Sequence, residues 1–150
     1  MSNSTKDRIF VSLQIILFFV FALNVNLGRF EIARVIELIC FIFVFIGILL
    51  IISALFQLRK SIFPFPTPSK NASLITSGIF KYIRHPIYCG IVLLFLSIGV
   101  YYGSVYKILI SFFIFGVLYL KSIHEEKLLL ERFPEYLSYK NRTGRFFPNI

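Results

Sequence analysis

The segment Gly78–Gly90, with the sequence GIFKYIRHPIYCG, places cationic and ring-bearing side chains directly before one of the most apolar stretches of the chain. Pro86 suits the first turn of an α-helix, because the N–H group that proline lacks would have no helical partner there. Arg84 and His85 therefore lie in the segment that leads into a helix. The apolar residues that follow predict that this helix is buried in a membrane.

The composition also indicates a membrane protein. Of the 150 residues, 57% are hydrophobic and 19 are Phe, whereas soluble domains contain about 45–50% apolar residues. A bilayer is spanned by about 20 consecutive apolar residues, and four such segments can be drawn, at 9–28, 35–57, 86–103 and 106–123. We predict an all-α, polytopic membrane fold with four transmembrane helices in a single domain, residues 1–150.

The connections between these segments predict how the helices pair. Short polar links join the first segment to the second and the third to the fourth, which favours two helical hairpins. Between the hairpins, the prolines in Phe63–Pro68 predict an extended segment, since a residue before proline avoids the α conformation. After residue 123 the pattern becomes amphipathic, so we expect a C-terminal amphipathic helical segment outside the hydrocarbon.

The net charge of +9 is explained by membrane topology. If both termini lie on one side, that side carries thirteen of the sixteen Lys and Arg residues, and only Arg29, Arg34 and Lys107 lie opposite. Cytoplasmic segments carry such an excess of basic residues. We therefore expect both termini to be cytoplasmic, and no basic patch is left over to indicate a nucleic-acid partner.

Two polar pairs are predicted to meet at the cytoplasmic surface. Counted from the turn near Ser104, the pair Arg84–His85 lies about 19 residues back and the pair Glu125–Glu126 about 21 residues on. At 1.5 Å per residue, their depths differ by only a few ångströms. Because Glu125 and Glu126 are about 100° apart around a helix, at most one should point squarely at the other helix.

The resulting site would have cationic donors on one side and carboxylates on the other, with Tyr82 and Tyr88 as flat surfaces. Such a site would suit a zwitterionic, aromatic, water-soluble cofactor. The residues alone leave a simpler interpretation open, because Arg, His and Tyr at the start of a helix are also common interfacial anchors. A zinc site formed by His85, Cys89 and His124 has no supporting metal motif, and we expect no metal.

Several ordered blocks resemble the isoprenylcysteine carboxyl methyltransferase (ICMT) family and its relatives among the phospholipid methyltransferases. The resemblance covers about residues 64–148. Its blocks are the proline-spaced loop with Asn71, Leu74–Tyr82, Arg84–Gly90, Glu125–Glu126, the spacing of Phe133, Tyr136 and Tyr139, and Thr143–Phe146 with Pro148.

This resemblance implies an integral-membrane methyltransferase that uses S-adenosyl-L-methionine, with the cofactor enclosed by residues 76–148. Arg84, Glu126 and Arg132 would be its catalytic residues, and the two arginines could orient a carboxylate acceptor. The acceptor would be a lipid or lipidated molecule, either an isoprenylcysteine-like carboxylate or a phospholipid amine. The residues implied for cofactor binding are Gly78, Tyr82, Arg84, His85, Pro86, Tyr88, Gly90, Glu125 and Glu126.

Two other function classes remain open. A membrane reductase of the sterol-reductase type would hold NADPH in a similar place, with Lys81, Arg142 and Arg145 available for its 2′-phosphate. A non-enzymatic membrane adaptor would bind neither cofactor.

Overall fold

The computed structural model describes residues 3–58 and 74–149, and these contain helices and no strand. The five α-helices, preceded in one case by a short 3-10 turn at Gly78–Lys81, confirm the predicted all-α class. The predicted extended segment at 63–68 lies outside the described residues. The helices are α1 (Asn3–Ala22), α2 (Arg34–Leu58), α3 (Pro86–Tyr101), α4 (Val105–Arg132) and α5 (Tyr136–Arg142).

The helices α3 and α4 form the predicted second hairpin. Helix α3 begins with Pro86 in its first turn, and α4 begins after Ser104, whose hydroxyl accepts a hydrogen bond from the Lys107 N–H. Helix α4 runs without a break past residue 123 to Arg132, because nothing in the amphipathic segment interrupts helical hydrogen bonding. It ends at Phe133, which has an extended backbone, as expected for a residue before proline.

The predicted first transmembrane segment, about 9–28, extends past the C-terminal end of the first helix. Helix α1 begins at Asn3 and ends at Ala22. The following residues form a link that crosses the turn between α3 and α4: the Phe30 N–H donates to the Gly103 carbonyl oxygen at 2.9 Å, and the Val105 N–H donates to that of Gly28 at 3.3 Å. The backbone groups of this link therefore bond to the α3–α4 turn instead of continuing the hydrogen bonds of α1. Gly103 is required here, since its φ is +55° and a Cβ would lie 2.0 Å from the Phe30 oxygen.

The predicted first hairpin is also wrong, because α1 does not pack along α2. In the described part of the chain, α2 packs along α3, α3 along α4, and α4 along α1. The link over the α3–α4 turn carries the chain from α1 on one side to α2 on the other. The core between α1, α3 and α4 is built around the buried residues Phe21, Ile114 and Leu118, with Phe95 of α3 stacked on Phe18 at 4.7 Å.

The outer surface of the bundle is strongly apolar. Helices α2 and α4 are each long and apolar enough to cross a membrane, whereas α3 is apolar but shorter, at 16 residues. Large side chains such as Phe45, Phe112 and Phe113 are more than half exposed. Soluble monomers rarely expose apolar surface on this scale, so the fold is that of a membrane-associated protein.

Two glycines allow α2 and α3 to approach closely. A Cβ added at Gly90 would lie 2.5 Å from the Gly47 carbonyl oxygen, and one added at Gly47 would lie 2.8 Å from that of Gly90. Small residues at helix contacts are typical of membrane bundles, where close packing rather than water drives association. The contact also fixes the position of α3, whose first residues belong to the candidate site.

We therefore expect Gly90→Ala to destabilise the protein by about 1–3 kcal/mol, the usual cost of overpacking a core. The added methyl group would meet backbone atoms of α2, which can yield only if the two helices separate. Thermal unfolding of the purified protein in detergent measures the effect as a lower Tm.

Gly116→Ala is the matched control. It introduces the same methyl group into α4, where a Cβ would meet no atom within 4 Å, and alanine favours a helix over glycine. We expect its Tm to be unchanged or higher. Equal losses in both variants would contradict the proposed α2–α3 contact.

Candidate functional site

The buried carboxylate of Glu126 is the centre of the candidate site. Glu126 lies near the end of α4, beyond the apolar stretch 106–123, and is only 1% exposed. Its oxygens accept hydrogen bonds from Arg84 Nε at 3.0 Å and from Arg145 Nε and Nη2 at 2.9 Å each. Lys140 Nζ lies 3.3 Å from the same carboxylate, as does His85 Nε2. The predicted juxtaposition of the two polar pairs is therefore present.

These partners decide the charge of Glu126. Burial alone would raise the pKa of its carboxyl group, but hydrogen bonds from His85 and Arg145 and the positive charge of Arg84 outweigh burial and hold that pKa below its usual range. The hydrogen bond to Glu126 in turn raises the pKa of Arg145, although partial burial opposes the rise. Glu126 is thus a stable anion surrounded by an excess of positive charge.

Glu125 occupies a different environment from its neighbour. Its carboxylate accepts a hydrogen bond from the Tyr88 hydroxyl at 2.9 Å and lies 3.6 Å from His85 Nδ1. Its side chain is 27% exposed, whereas that of Glu126 is 2% exposed. Glu125 bonds to Tyr88 within α3, in line with the expectation that at most one glutamate points squarely at that helix. Both carboxylates lie against His85, just before the helix. The long side chains allow this because His85 lies between them.

The C-terminal segment closes over the start of α3. Arg84 Nη1 donates to the carbonyl oxygens of Lys140, at 2.8 Å, and of Thr143. The backbone N–H groups of Arg84 and His85 donate to the Gly144 and Arg145 carbonyl oxygens at 2.8 and 3.1 Å. A further hydrogen bond, 2.6 Å long, joins the Tyr139 hydroxyl to the Phe80 carbonyl oxygen.

Aromatic rings lie beside the charged groups. The rings of His85 and Tyr88 stack in parallel, with centroids 5.3 Å apart. The buried ring of Phe146 lies 6.1 Å from His85 and 6.3 Å from Tyr119. Tyr136 is almost fully buried, and its hydroxyl has no hydrogen-bond partner among the described residues. A buried hydroxyl without a partner costs about 1–3 kcal/mol, so this atom would gain from a polar ligand.

Several residues implied by the resemblance lie outside this cluster. Tyr82 is 55% exposed, with Lys81 Nζ 5.9 Å from its ring centre. Gly78 starts the 3-10 turn against the Gln57 side chain, and Gly90 contacts α2. Arg132 is exposed at the end of α4, where its guanidinium lies 5.6 Å from the Phe133 ring centre. Pro86 is buried beneath the cluster at the start of α3.

A second polar group joins α1 to α4. Asp7 Oδ1 lies 3.1 Å from His124 Nε2, and Lys121 Nζ donates to Gln14 Oε1 at 3.0 Å. Lys121 also lies 5.3 Å from the centre of the Tyr88 ring, which connects this group to the candidate site. His124 therefore faces α1, and the described residues contain no group of three His, Cys, Asp or Glu placed to hold a metal ion.

Sequence reasoning missed Arg145 and Lys140 as partners of Glu126, and Asp7 as a partner of His124. Arg145 belongs to one of the blocks that carried the resemblance, but its pairing depends on how the C-terminal segment folds back. Asp7 stands between Lys6 and Arg8 in a short polar stretch. Nothing in that pattern distinguishes a buried aspartate from an exposed one.

Curated relatives cover part of this chain. It is 34% identical over 82 residues to the cobalt-zinc-cadmium resistance protein CzcN of Cupriavidus metallidurans, and 33% identical over 82 residues to the nickel-cobalt-cadmium resistance protein NccN of Alcaligenes xylosoxydans xylosoxydans. Each match covers 54% of this chain and 38% of the relative. An uncharacterized protein of Schizosaccharomyces pombe is 30% identical over 80 residues, which are 49% of this chain and 23% of that protein.

The matched family accounts for the central part of the site. The sequence model of the phospholipid methyltransferases matches residues 35–135, which include α2, α3 and α4 with both polar pairs. Helix α1 and the C-terminal segment with Arg145 lie outside the match. Since the match covers more than half of the chain, this protein belongs to the phospholipid methyltransferase family.

Proposed function

We propose that this protein is an integral-membrane methyltransferase that uses S-adenosyl-L-methionine and acts on a lipid or lipidated acceptor. Family membership supports methyl transfer. The observation that carries the proposal is the convergence of Arg84, His85, Tyr88, Glu125 and Glu126 under the closing C-terminal segment.

The chemistry of the residues present fits this cofactor. The positive charge around Glu126 exceeds what one carboxylate neutralises, so a second carboxylate, such as that of a methionine moiety, would be stabilised beside Arg145 or Lys140. Glu125 is the carboxylate with exposed surface, and it would accept hydrogen bonds from an ammonium group. Rings such as Tyr88 and Phe146 offer faces for an adenine, and the unpartnered Tyr136 hydroxyl offers a further polar contact.

When bound, the cofactor would supply an electrophilic methyl group on a sulfonium. The protein would hold the methyl donor and the acceptor in place and would form no covalent bond with either. Residues on α3, α4 and the C-terminal segment would fix the methyl donor while the acceptor is held in line with it, and such positioning is worth up to about 7–11 kcal/mol in well-oriented reactions. A carboxylate acceptor needs no general base, whereas an amine or hydroxyl acceptor would benefit from one.

The residues that the resemblance implies as catalytic differ in the roles that we propose for them. Arg84 and Glu126 bond mainly to each other and to the C-terminal segment, so we assign both to assembling the site. Arg132 remains a candidate for orienting a carboxylate acceptor, from an exposed position six residues after Glu126.

We further propose that all four long helices, α1 to α4, lie in the membrane, with both termini and the cofactor site on the cytoplasmic side. The length of α4 supports this placement. Glu126 comes 19 residues after Lys107, about 28 Å along the helix, which is close to the ~30 Å thickness of the hydrocarbon core. The basic residues concentrated at the end with the termini support the cytoplasmic assignment.

The cofactor assignment is tested by Glu125→Gln, which removes a charge but keeps the side-chain length and leaves Arg84, Arg145 and Lys140 in place around Glu126. Loss of a charge-assisted hydrogen bond to the ammonium, worth about 1.5–3 kcal/mol, should weaken binding of S-adenosylhomocysteine about tenfold or more. Isothermal titration of the purified protein measures this affinity.

Glu131→Gln is the control, because it makes the same change at an exposed position in the last turns of α4; its affinity should equal that of the wild type. Absence of S-adenosylhomocysteine binding at millimolar concentration, with enhancement of NADPH fluorescence, would favour the reductase instead. Binding of neither cofactor would favour the adaptor.

The structural role of Glu126 is tested by Glu126→Gln. Removing one partner of a buried ion pair typically costs about 3–5 kcal/mol, and here it leaves the buried Arg84 side chain without its counter-ion. We expect a lower Tm and faster proteolysis of residues 136–149. An unchanged Tm with lost S-adenosylhomocysteine binding would instead place Glu126 in direct contact with the cofactor.

The acceptor class is tested by incubating the protein with tritiated-methyl S-adenosylmethionine and total membrane extract. We expect label in the lipid fraction or in lipidated protein, and less label with Glu125→Gln. If the labelled product is a base-labile methyl ester, Arg132→Gln should raise KM for that acceptor. Label confined to water-soluble small molecules would contradict a lipid-like acceptor.

A further inference from the structure

A cavity of about 300 Å³ lies at the other end of the bundle, between the link after α1 and the α3–α4 turn. It is separated from Glu126 by nearly the whole length of α4, so it is not part of the candidate methyltransferase site. Its described lining residues are Leu23, Asn24, Val25, Arg29, Tyr102, Ser104 and Lys107.

The lining combines two kinds of surface. Arg29 and Lys107 bring two cations, and no described lining residue is acidic. Leu23 and Val25 bring apolar surface and are 56% and 43% exposed. An amphiphile with an anionic head and an apolar tail matches this combination, whereas a purely polar ion would leave the apolar side unused.

The position of Lys107 suits an anion. Its ammonium donates to the Phe21 carbonyl oxygen at 2.8 Å and lies 4.7 Å from the Phe21 ring centre. These contacts hold the side chain in place and use one of its three N–H donors. Arg29 is exposed on the neighbouring link, where its backbone pairs with Ser104. The Lys107 ammonium is therefore held at the cavity by a backbone oxygen, and the backbone of Arg29 is held beside it.

The surroundings are those of a membrane interface. Tyr101 and Tyr102 are exposed beside the cavity, at 40% and 62%, and tyrosines concentrate at headgroup level. Arg and Lys side chains form charge-assisted hydrogen bonds with phosphate groups. Among the described residues, Arg29, Arg34 and Lys107 are the basic residues at this end, and the rule that gathers basic residues on the cytoplasmic side does not explain them.

We propose that this cavity binds the phosphate group of a membrane phospholipid in the leaflet opposite the candidate methyltransferase site. Arg29 and Lys107 bind the phosphate, and the acyl chains lie along Leu23 and Val25. Free inorganic phosphate shares the headgroup chemistry but not the apolar contacts. The proposal is independent of methyl transfer.

The test is native mass spectrometry of the full chain in detergent, titrated with dioleoylphosphatidylglycerol, dioleoylphosphatidylcholine or dioleoylglycerol. We expect one molecule of either phospholipid to bind at low concentration, and dioleoylglycerol, which lacks phosphate, to bind at least tenfold more weakly. Arg29→Gln should weaken phospholipid binding about fivefold, the effect of one cation near an anionic group.

Arg34→Gln is the matched control, since Arg34 lies at the same end, is exposed and does not line the cavity. Lys107→Gln should also weaken phospholipid binding, and if that variant fails to fold, Lys107→Arg, which keeps the charge, should still bind the phospholipid. Equal binding of dioleoylglycerol, or an equal loss with Arg34→Gln, would overturn the proposal. Displacement of the lipid by millimolar inorganic phosphate would show that the phosphate alone is recognised, and resistance to it would show that the lipid is; both outcomes support the phosphate site.

Discussion

The buried carboxylate of Glu126 is the constraint on which the arrangement of the candidate site depends. An ion of this kind is costly to remove from water, and the cost is met only while Arg84, Arg145, Lys140 and His85 surround it. These partners come from the start of α3 and from the C-terminal segment, which are far apart in sequence. Glu126 therefore requires three parts of the chain to come together, and the site exists only when they do.

The same requirement explains why two adjacent glutamates behave differently. Glu126 points into the bundle and its charge is already balanced by the protein, so it has little capacity left for a ligand. Glu125 lies one residue earlier, is partly exposed, and is held by Tyr88 and His85. His85 contacts both carboxylates, so it links the buried ion pairs of Glu126 to the partly exposed carboxylate of Glu125. A ligand that displaced His85 from Glu125 would also alter the environment of Glu126.

The contacts that sequence reasoning anticipated are those governed by local geometry. Arg84 and Glu126 were expected to meet because only a short turn separates α3 from α4, and a residue count fixes their depth. Asp7 and His124 are 117 positions apart, and their contact depends on α1 packing against α4 rather than α2. Leu23, Val25 and Leu27 continue the apolar residues of α1, and the sequence pattern could not show that backbone groups of this link bond to the α3–α4 turn.

The link across that turn has a consequence for the membrane placement that we propose. By bonding to Gly103 and Val105, it holds the end of α1 at the same depth as the start of α4. Lys107, in the first turn of α4, is fixed at that depth by the Phe21 carbonyl oxygen, while Lys121, about three turns before the end of the helix, is buried against Gln14 of α1. A buried lysine is costly in hydrocarbon unless it is paired, so α1 stabilises α4 at both ends of the span. The family match omits α1, yet Lys121 also lies against the ring of Tyr88. Helix α1 thus contacts the candidate site through Lys121, and a change in how α1 packs would reach Tyr88 and Glu125 by that contact.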